Sequence, residues 1–374
     1  MKQNFSKFIS FLFYFSLILE VFGDSSVSII GRFVFDSKEN CAIIDWPGVY
    51  LQFNVSSTQE IWVEFDDVQK FPQNKRSLEA DTTSNIFQII IQSFNSKINI
   101  TSELKLIVNE GKTRYQIASN LDPSQTYSVS LYKRTEALSI AKFYRAIIDG
   151  GINLYVNPES KSLKNRKLEF IGDSVVAGYG DECKSIDEPF SAETEDVYLA
   201  YGPVVSRYFD ADYFIEAISG IGVVRNYGDP NKTSARPFGF YMNSSLRSNT
   251  SEQYSWDYSK WQPDAMVLHL GGNDYSTLPH PDDDVFIKGY RDLISHYRYF
   301  YGDIPMFITT GPMYGDPVKL IQEIISLEQP NVYFVNWTNI LTPDLEGCQT
   351  QFNVEAHAIM SNILIKSIQQ VLGW

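Results

Sequence analysis

Polar and apolar residues alternate with a period of two from residue 27 to about residue 156. The apolar positions are mostly β-branched or aromatic, and turn residues such as Pro47-Gly48 and Asp122-Pro123 separate the runs. Alternation turns one side of each strand toward a core, so this pattern predicts an all-β, antiparallel jelly-roll sandwich. The predicted strands are residues 29–35, 49–55, 60–65, 87–91, 97–101, 103–108, 114–118 and 128–133.

The pattern changes after a polar, proline-containing stretch at residues 157–165, which we expect to be a linker. Beyond it, near-continuous apolar strands alternate with segments of helical period, which predicts a doubly wound, flavodoxin-like α/β domain with a parallel sheet. The expected division is therefore a sandwich domain at 24–156, the linker, and an α/β domain at 166–374. The predicted strands are 167–171, 213–217, 265–270, 306–309 and 332–335, and the predicted helices are 198–209, 285–301, 317–327 and 353–372.

The first 23 residues place Lys2 and Lys7 ahead of an apolar run that ends at the small residue Gly23. The run is short for a bilayer span, so we expect a secretory signal peptide at 1–23, a secreted protein and no stable membrane insertion. The net charge of −14 disfavours nucleic acid as a partner. Sequons that fit a secreted glycoprotein occur at Asn54, Asn99, Asn231, Asn243, Asn249 and Asn336.

The three cysteines are too few and too scattered for a metal cage or a disulfide scaffold, and we expect neither a metal nor a cofactor. The aspartate run at 281–284 lacks the spacing of a calcium loop and fits a solvated helix cap better. The predicted fold could bring Cys183 and Cys348 together, so a disulfide and two free thiols both stay open. Cys41 is expected to be free and buried.

The candidate chemistry centres on the turn Gly172-Asp173-Ser174, which ends the predicted strand 167–171. Ligands of doubly wound sheets bind beyond the carboxyl ends of the strands, and a serine held there can act as a nucleophile. Glycine permits the sharp bend, and the Ser174 amide can point at the oxygen of a carbonyl that the hydroxyl attacks. The same tripeptide at residues 23–25 follows no strand, so Ser174 is the predicted nucleophile for acyl transfer.

Two further turns fall at the same edge of the sheet, Ser219-Gly220-Ile221-Gly222 and Gly271-Gly272-Asn273-Asp274. The amides of Ser174 and Gly220 and the side-chain amide of Asn273 can donate to the oxyanion that forms when a carbonyl carbon becomes tetrahedral. Taken alone, Gly220 could be a glycine at a helix start and Asn273 a turn residue or cap. Their occurrence at successive strand ends favours an oxyanion hole.

These blocks resemble the SGNH (GDSL) hydrolase superfamily and, within it, carbohydrate esterase family 2. The resemblance covers nearly all of the chain after the predicted signal peptide. It implies a jelly-roll domain followed by an SGNH domain, and the removal of acetyl groups from sugars of plant-type polysaccharides. The matching motifs are Gly-Arg-Phe at 31–33, Asp-Trp-Pro-Gly at 45–48, Lys-Arg-Thr-Glu-Ala at 133–137, Glu-Phe-Ile-Gly-Asp-Ser at 169–174, Gly-Tyr-Gly at 178–180 and Gly-Cys at 347–348.

The chain departs from the family pattern after that Gly-Cys. The resemblance implies Asp-x-His-Pro and then Gly-His, where this chain has Gln349-Thr350-Gln351-Phe352 and then Ala356-His357. Gln351 therefore replaces the general-base histidine, and Gln349 replaces the aspartate that would orient it. A carboxamide does not titrate near neutral pH and cannot accept the proton of Ser174, so we expect hydrolysis to be weak or lost.

The chain's four histidines offer few replacement bases. His269 lies inside a predicted strand and is expected in the core, and His296 lies in a predicted helix and is expected to be structural. His357 falls about one turn into the last helix, where packing or capping is expected. His280 follows Asn273 at the correct end of the sheet and stays open as a displaced base.

Two functions of different class follow from these observations. The first is a secreted, serine-dependent esterase of acetylated polysaccharide with weak or lost activity. The second is a non-catalytic glycan-binding or surface protein, a pseudoenzyme that keeps the pocket without the proton shuttle. Hydrolysis of a small acetyl ester distinguishes the two.

Overall fold

The structure is a computed structural model that describes residues 26–70, 84–94, 101–137, 139–159, 162–311, 317–338, 340 and 342–374. The predicted signal peptide, the sequon at Asn99 and most of the predicted strand 97–101 lie outside these residues. Within the described ranges, no helix is long and apolar enough to cross a membrane.

Residues 28–154 form two antiparallel sheets, as the period-two pattern predicts. The strands are β1 (Ser28–Ile30), β2 (Val34–Asp36), β3 (Cys41–Ile44), β4 (Tyr50–Ser56), β5 (Ile61–Lys70), β6 (Ile86–Ser93), β7 (Thr101–Ile107), β8 (Thr113–Ala118), β9 (Thr126–Lys133), β10 (Ser139–Ile148) and β11 (Ile152–Leu154). One sheet has the order β1-β4-β9-β6-β7, and the other has the order β2-β3-β10-β5-β8 with β11 beside β10. Rings such as Phe65 and Phe87, 4.7 Å apart, pack one sheet on the other.

One strand prediction in this region was wrong, and three strands, β3, β10 and β11, were not predicted. Residues 29–35 are not one strand, because Gly31 has a φ of +120° and separates β1 from β2. A Cβ at Gly31 would lie 2.6 Å from the Val49 side chain, so glycine is required at this close approach. The pattern also fails to predict β10, whose inward positions include the small residues Ala141 and Ala146 and whose ladder with β5 contains two register shifts.

Residues 166–336 form a five-stranded parallel sheet, and the five predicted strands and four predicted helices are all present. The strands are β12 (Arg166–Gly172), β13 (Ala211–Ala217), β14 (Ala265–His269), β15 (Met306–Thr310) and β16 (Val332–Asn336). The helices are α1 (Ser174–Ala177), α2 (Tyr201–Tyr208), α3 (Gly272–Tyr275), α4 (Asp283–Tyr301), α5 (Val318–Leu327) and α6 (Val354–Leu372). The order β13-β12-β14-β15-β16 is the flavodoxin-like 2-1-3-4-5 order, which puts the ends of β12, β13 and β14 side by side.

Buried polar contacts join the antiparallel sheets to the parallel sheet. Arg32, which is 1% exposed, pairs with the buried carboxylate of Glu216 on β13 at 2.6 Å. Asp45 accepts hydrogen bonds from the backbone N–H groups of Arg247 and Ser248, at 3.0 and 2.8 Å. Arg32 and Asp45 both belong to motifs that carry the family resemblance, so these motifs build the contact between the two regions.

The predicted linker contains no helix or strand in residues 157–159 and 162–165, the part of it that the structure describes. It is nevertheless fixed by Asp212 of β13, which is buried. The Asp212 carboxylate accepts hydrogen bonds from the Ser162 hydroxyl and from the N–H groups of Leu163 and Lys164. The Asp212 carboxylate also accepts a hydrogen bond from the Tyr50 hydroxyl of β4. The Asp212 side chain therefore connects the linker both to the parallel sheet and to the antiparallel sheet that contains β4.

Candidate active site

Ser174 is the first residue of α1 and follows β12 after the single residue Asp173. A Cβ at Gly172 would lie 2.6 Å from the His269 carbonyl oxygen, so the strand can end this closely beside β14 only with glycine. Asp173 caps α1, because its Oδ1 accepts from the Val175 N–H at 3.0 Å. The Ser174 side chain is 6% exposed, and its hydroxyl makes no hydrogen bond to any residue that the structure describes.

Gly220 follows β13 and lies beside the Ser174 turn, since the Ile218 N–H donates to the Gly172 carbonyl at 3.2 Å. Its φ of +79° and the hydrogen bond from the Ile221 N–H to the Ile218 carbonyl match a type II turn. Within the described ranges, neither the Ser174 N–H nor the Gly220 N–H donates a hydrogen bond. Two unpaired amides at adjacent strand ends are available as donors, and their role in an oxyanion hole stays a prediction.

Asn273 lies on α3 and connects the three strand ends. Its Nδ2 donates to the Asp173 carboxylate at 3.0 Å and to the Ile221 carbonyl at 2.9 Å. Both N–H groups of this amide are therefore in use, and an oxyanion would have to share one of them. The connecting role of Asn273 is observed, whereas its role as an oxyanion donor stays a prediction.

Asp274 is a site residue that sequence reasoning missed. Its buried carboxylate accepts from three consecutive backbone N–H groups, those of Val223, Val224 and Arg225, at 2.8 to 2.9 Å. Burial raises the pKa of Asp274 to about 6, and these three hydrogen bonds oppose the rise. Asp274 thus holds the chain that leaves the Gly220 turn. The sequence feature that could have identified Asp274 as a site residue was its position next to Asn273.

The last loop, which we define as residues 346–352, contains Gln349 and Gln351. A disulfide between Cys183 and Cys348, one of the two states that the sequence left open, connects this loop to the chain that follows α1. Cys41 is free and buried, as predicted. The Tyr179 hydroxyl also donates to Gln349 Oε1 at 3.0 Å. The structure therefore brings the last loop to the segment that begins at the candidate nucleophile.

The two glutamines of the last loop differ in their surroundings. Gln349 is exposed and has a φ of +53°. Gln351 is half-buried, and its Oε1 is buried without a hydrogen-bond partner in the described part of the chain. Neither amide hydrogen-bonds to Ser174. Neither amide titrates near neutral pH, so neither can take the serine proton.

Two histidines are buried beneath the strand ends in neutral form. His357 Nδ1 accepts from the Tyr201 N–H at 3.2 Å, and burial lowers the pKa of His357 to about 3. His269 contacts the Thr309 hydroxyl at 2.8 Å, and burial lowers its pKa to about 4. Both are packing residues, as predicted.

The other two histidines make their contacts with tyrosines and do not hydrogen-bond to the Ser174 hydroxyl. His296 on α4 contacts the Tyr258 hydroxyl at 2.9 Å, and burial, followed by the Arg32 charge, lowers its pKa to about 4. His280 is exposed, and its ring packs against Tyr275 with centroids 5.4 Å apart. All four histidines of the chain lie in residues that the structure describes. None of their imidazoles hydrogen-bonds to Ser174.

The described residues contain no group of three or more histidine, cysteine or acidic side chains that could hold a metal ion. The aspartate run at 281–284 begins α4, with Asp282 at the N-cap and Asp283 and Asp284 in the first turn. This is the helix-start position expected from the sequence, where negative charge is favourable.

Residues 170–337 match the GDSL-like Lipase/Acylhydrolase family. The chain is 31% identical over 277 residues to the cellulase/esterase CelE of Acetivibrio thermocellus, covering 71% of this chain and 33% of CelE. It is 26% identical over 367 residues to an acetylxylan esterase/glucomannan deacetylase of Cellvibrio japonicus, covering 92% of this chain and 90% of that protein. The chain thus spans about a third of CelE but most of the second relative.

Solved structures agree with these similarities. A family two carbohydrate esterase from Clostridium thermocellum, in complex with cellohexaose, has a TM-score of 0.78 and 26% identity, covering 93% of this chain and all of that one. A family two carbohydrate esterase from Cellvibrio japonicus has the same fold, with a TM-score of 0.74 and 18% identity over 94% of this chain and 96% of that one. The chain therefore carries a GDSL/SGNH lipase-acylhydrolase domain. In sequence and structure it closely matches the family 2 carbohydrate esterases, which confirms the resemblance stated from the motifs.

Proposed function

We propose that this chain is a secreted, carbohydrate-esterase-like protein whose site keeps the oxyanion donors but has lost proton transfer. Gln351 stands in place of the general-base histidine and Gln349 in place of its aspartate, so deacetylation of acetylated polysaccharide through Ser174 is weak or lost. The observation that carries the proposal is a Ser174 hydroxyl to which none of the four histidines hydrogen-bonds.

The chemistry explains why the missing base matters. The Ser174 hydroxyl would attack the acetyl carbonyl carbon, and the Ser174, Gly220 and Asn273 donors would stabilise the resulting oxyanion. An acetyl-enzyme would form as the sugar leaves, and water would then release acetate. Without a base near neutral pH, the serine keeps its proton, which costs on the order of 10⁴- to 10⁶-fold in rate. About 10³-fold over water survives from the oxyanion donors.

The alternative function is non-catalytic glycan binding by the same pocket. The cellohexaose complex of the Clostridium thermocellum esterase supports carbohydrate as the ligand class for this fold. A buried site that keeps its donors but lacks a base would still hydrogen-bond to sugar hydroxyls and acetyl groups. Under this alternative the protein is a non-catalytic glycan-binding or surface pseudoenzyme.

Secretion and domain organisation are part of the proposal. The signal peptide at 1–23 would expose the chain to an oxidising compartment, in which the Cys183–Cys348 disulfide is expected to persist. Asn54, Asn231, Asn243 and Asn336 are exposed, as glycosylated residues must be. We further propose a jelly-roll domain at 24–156, a linker at 157–165 and the SGNH domain at 166–374.

The test restores the missing base. We expect Gln351→His to raise kcat/KM for a small acetyl ester by at least about 10²-fold over wild type, a fraction of what a triad base supplies. Gln349→Asp added to that variant should raise the rate further. Thr350→His is the matched control, because it puts an imidazole in the same loop at an exposed neighbouring position. Strong hydrolysis by the wild type, or equal gains in both histidine variants, would contradict the proposal.

A glycan-binding screen tests the alternative independently of catalysis. Wild type and Ser174→Ala are applied to immobilised cello-oligosaccharides and to acetylated xylan and glucomannan. Binding by both proteins without hydrolysis would favour the non-catalytic function. Failure of both proteins to bind any of these glycans would contradict it.

A further inference from the structure

A carboxylate from the antiparallel region reaches the candidate oxyanion turn. Glu136 follows β9 in the motif at 133–137, and its Oε2 accepts from the backbone N–H of Ser219 at 2.8 Å. Ser219 directly precedes Gly220, a candidate oxyanion donor. Glu136 is 8% exposed, and this charge-assisted hydrogen bond is partly buried.

Glu136 is itself held in place. Its backbone N–H donates to Glu195 Oε2 at 3.1 Å, and Glu195 is fully buried. Burial, and then the charge of Glu136, raises the pKa of Glu195 well above its ordinary value. Two residues earlier, Arg134 pairs with the buried Asp196 at 3.3 Å. Two contacts therefore hold the segment that carries Glu136: the hydrogen bond from its backbone to Glu195 and the ion pair between Arg134 and Asp196.

The contact bears on the direction of the Gly220 N–H. In a type II turn the peptide between the two central residues, here Ser219 and Gly220, is flipped relative to a type I turn. The Gly220 N–H belongs to that peptide, so its direction depends on the conformation of Ser219. A carboxylate bound to the Ser219 N–H fixes the peptide that precedes the flipped one. The turn is thus constrained from outside the parallel sheet.

We propose that Glu136 is a positioning residue of the Ser174 site: it holds the Ser219 amide and so fixes the turn that presents the Gly220 N–H to an oxyanion. The antiparallel region then completes a site that the parallel-sheet region does not complete alone. This inference rests on the proposed function, because it assumes that an oxyanion forms at Ser174. It does not depend on Gln351 or on turnover.

Methylboronic acid is a suitable probe, because it reports on the oxyanion donors without a full catalytic cycle. A B–O bond forms between the Ser174 hydroxyl oxygen and boron, the hydroxyl proton passes to water, and boron becomes a tetrahedral anion. The adduct is measured by boron NMR and by titration calorimetry. Wild type should form it, and Ser174→Ala should not.

We expect Glu136→Ala to weaken boronate binding by about 10- to 100-fold, somewhat less than the loss of a whole oxyanion donor. Glu136→Asp keeps the charge but is one methylene shorter, and it should weaken binding similarly. Glu136→Gln keeps an oxygen acceptor on a side chain of the same length, so its boronate affinity should stay within about threefold of wild type. This rescue by the conservative variant separates positioning from a general loss of stability.

Asp45→Ala is the matched control. Asp45 is another buried carboxylate that accepts backbone N–H groups across the same two regions, but at Arg247 and Ser248. This variant should lose stability while binding the boronate within about twofold of wild type. Amide hydrogen exchange at residues 218–221 should quicken in Glu136→Ala and Glu136→Asp, and not in Asp45→Ala.

The outcomes separate the two proposals. If Ser174→Ala abolishes the adduct while Glu136→Ala and Glu136→Asp bind like wild type, the positioning role is overturned and the proposed site stands. If wild type forms no adduct, the oxyanion site itself is overturned, and the positioning role falls with it. Equal weakening in Asp45→Ala and Glu136→Ala would also overturn the assignment, because the effect would then be one of stability.

Discussion

The strand-end turns around Ser174 and the last loop at 346–352 are built in different ways. Buried carboxylates organise the turns: Asp173 binds an α1 amide and Asn273, and Asp274 binds three successive backbone amides. The last loop is instead held by its disulfide and by backbone hydrogen bonds, and the buried Gln351 Oε1 has no partner among the residues that the structure describes. The turns thus depend on hydrogen-bonded carboxylates, whereas the loop depends on a covalent bridge.

Under the proposed function, this difference means that the oxyanion donors and the general base of an esterase site are separable. Two of the three proposed oxyanion donors, the Ser174 and Gly220 amides, are backbone groups that the fold itself positions, so they persist when side chains change. A general base is a side chain, so the proposed replacement of its imidazole by the Gln351 carboxamide removes proton transfer without removing those amides. Under the proposed function, the chain keeps the donors for an oxyanion beside a loop that cannot move a proton.

The largest expected effect comes from removing the disulfide that brings the loop to the turns. Cys183→Ser with Cys348→Ser opens a loop of 165 residues, which should lower the free energy of unfolding by about 4–5 kcal/mol through chain entropy. Urea unfolding measures the loss, and Cys41→Ser, at the free cysteine, is the control. A loss below about 1 kcal/mol would show that the loop is held without the bridge.

The next effect is at the turns. Asp173→Ala leaves the Val175 N–H and the Asn273 amide without their acceptor, which should cost about 2–4 kcal/mol in unfolding free energy. Asp344→Ala, at an exposed position, should cost less than about 0.5 kcal/mol. Similar losses in the two variants would contradict a turn network built on buried carboxylates.

The pH dependence tests whether the histidines beneath the turns are neutral and buried. The pKa of His357 is lowered to about 3, so between pH 6.5 and 3 the unfolded chain binds a proton that the folded chain does not. His357 therefore stabilises the fold above pH 6.5, and this contribution is lost as pH falls. From pH 7.5 to 4.5, wild type should lose about 2–3 kcal/mol more than His357→Gln, as followed by urea unfolding. Parallel curves for the two proteins would show an exposed His357.

The smallest effect belongs to the exposed end of the last loop. Gln349→Ala removes one hydrogen bond from Tyr179 at the surface, and the unfolding free energy should change by less than about 0.5 kcal/mol. Residual ester hydrolysis should not change either. A measurable fall in hydrolysis would mean that Gln349 still has a catalytic task.

The parallel sheet could be predicted from sequence because its strands are continuous apolar runs with helices between them. β10 could not, because Ala141 and Ala146 weaken the alternation and the two register shifts interrupt it. The positions of Ser174 and Gly220 after β12 and β13 could be predicted because glycine-rich turns follow these strands. The Glu136 contact was not predicted, since it joins residues 83 positions apart in different sheets and no local pattern reports it.

The most direct test of the central claim is the hydrolysis of a small acetyl ester by wild type and Ser174→Ala, measured side by side at neutral pH. A serine without a base contributes little, so we predict that the two rates agree within about tenfold. A strong wild-type rate that falls by about 10⁴-fold in Ser174→Ala would contradict the account, because Ser174 would then be an activated nucleophile.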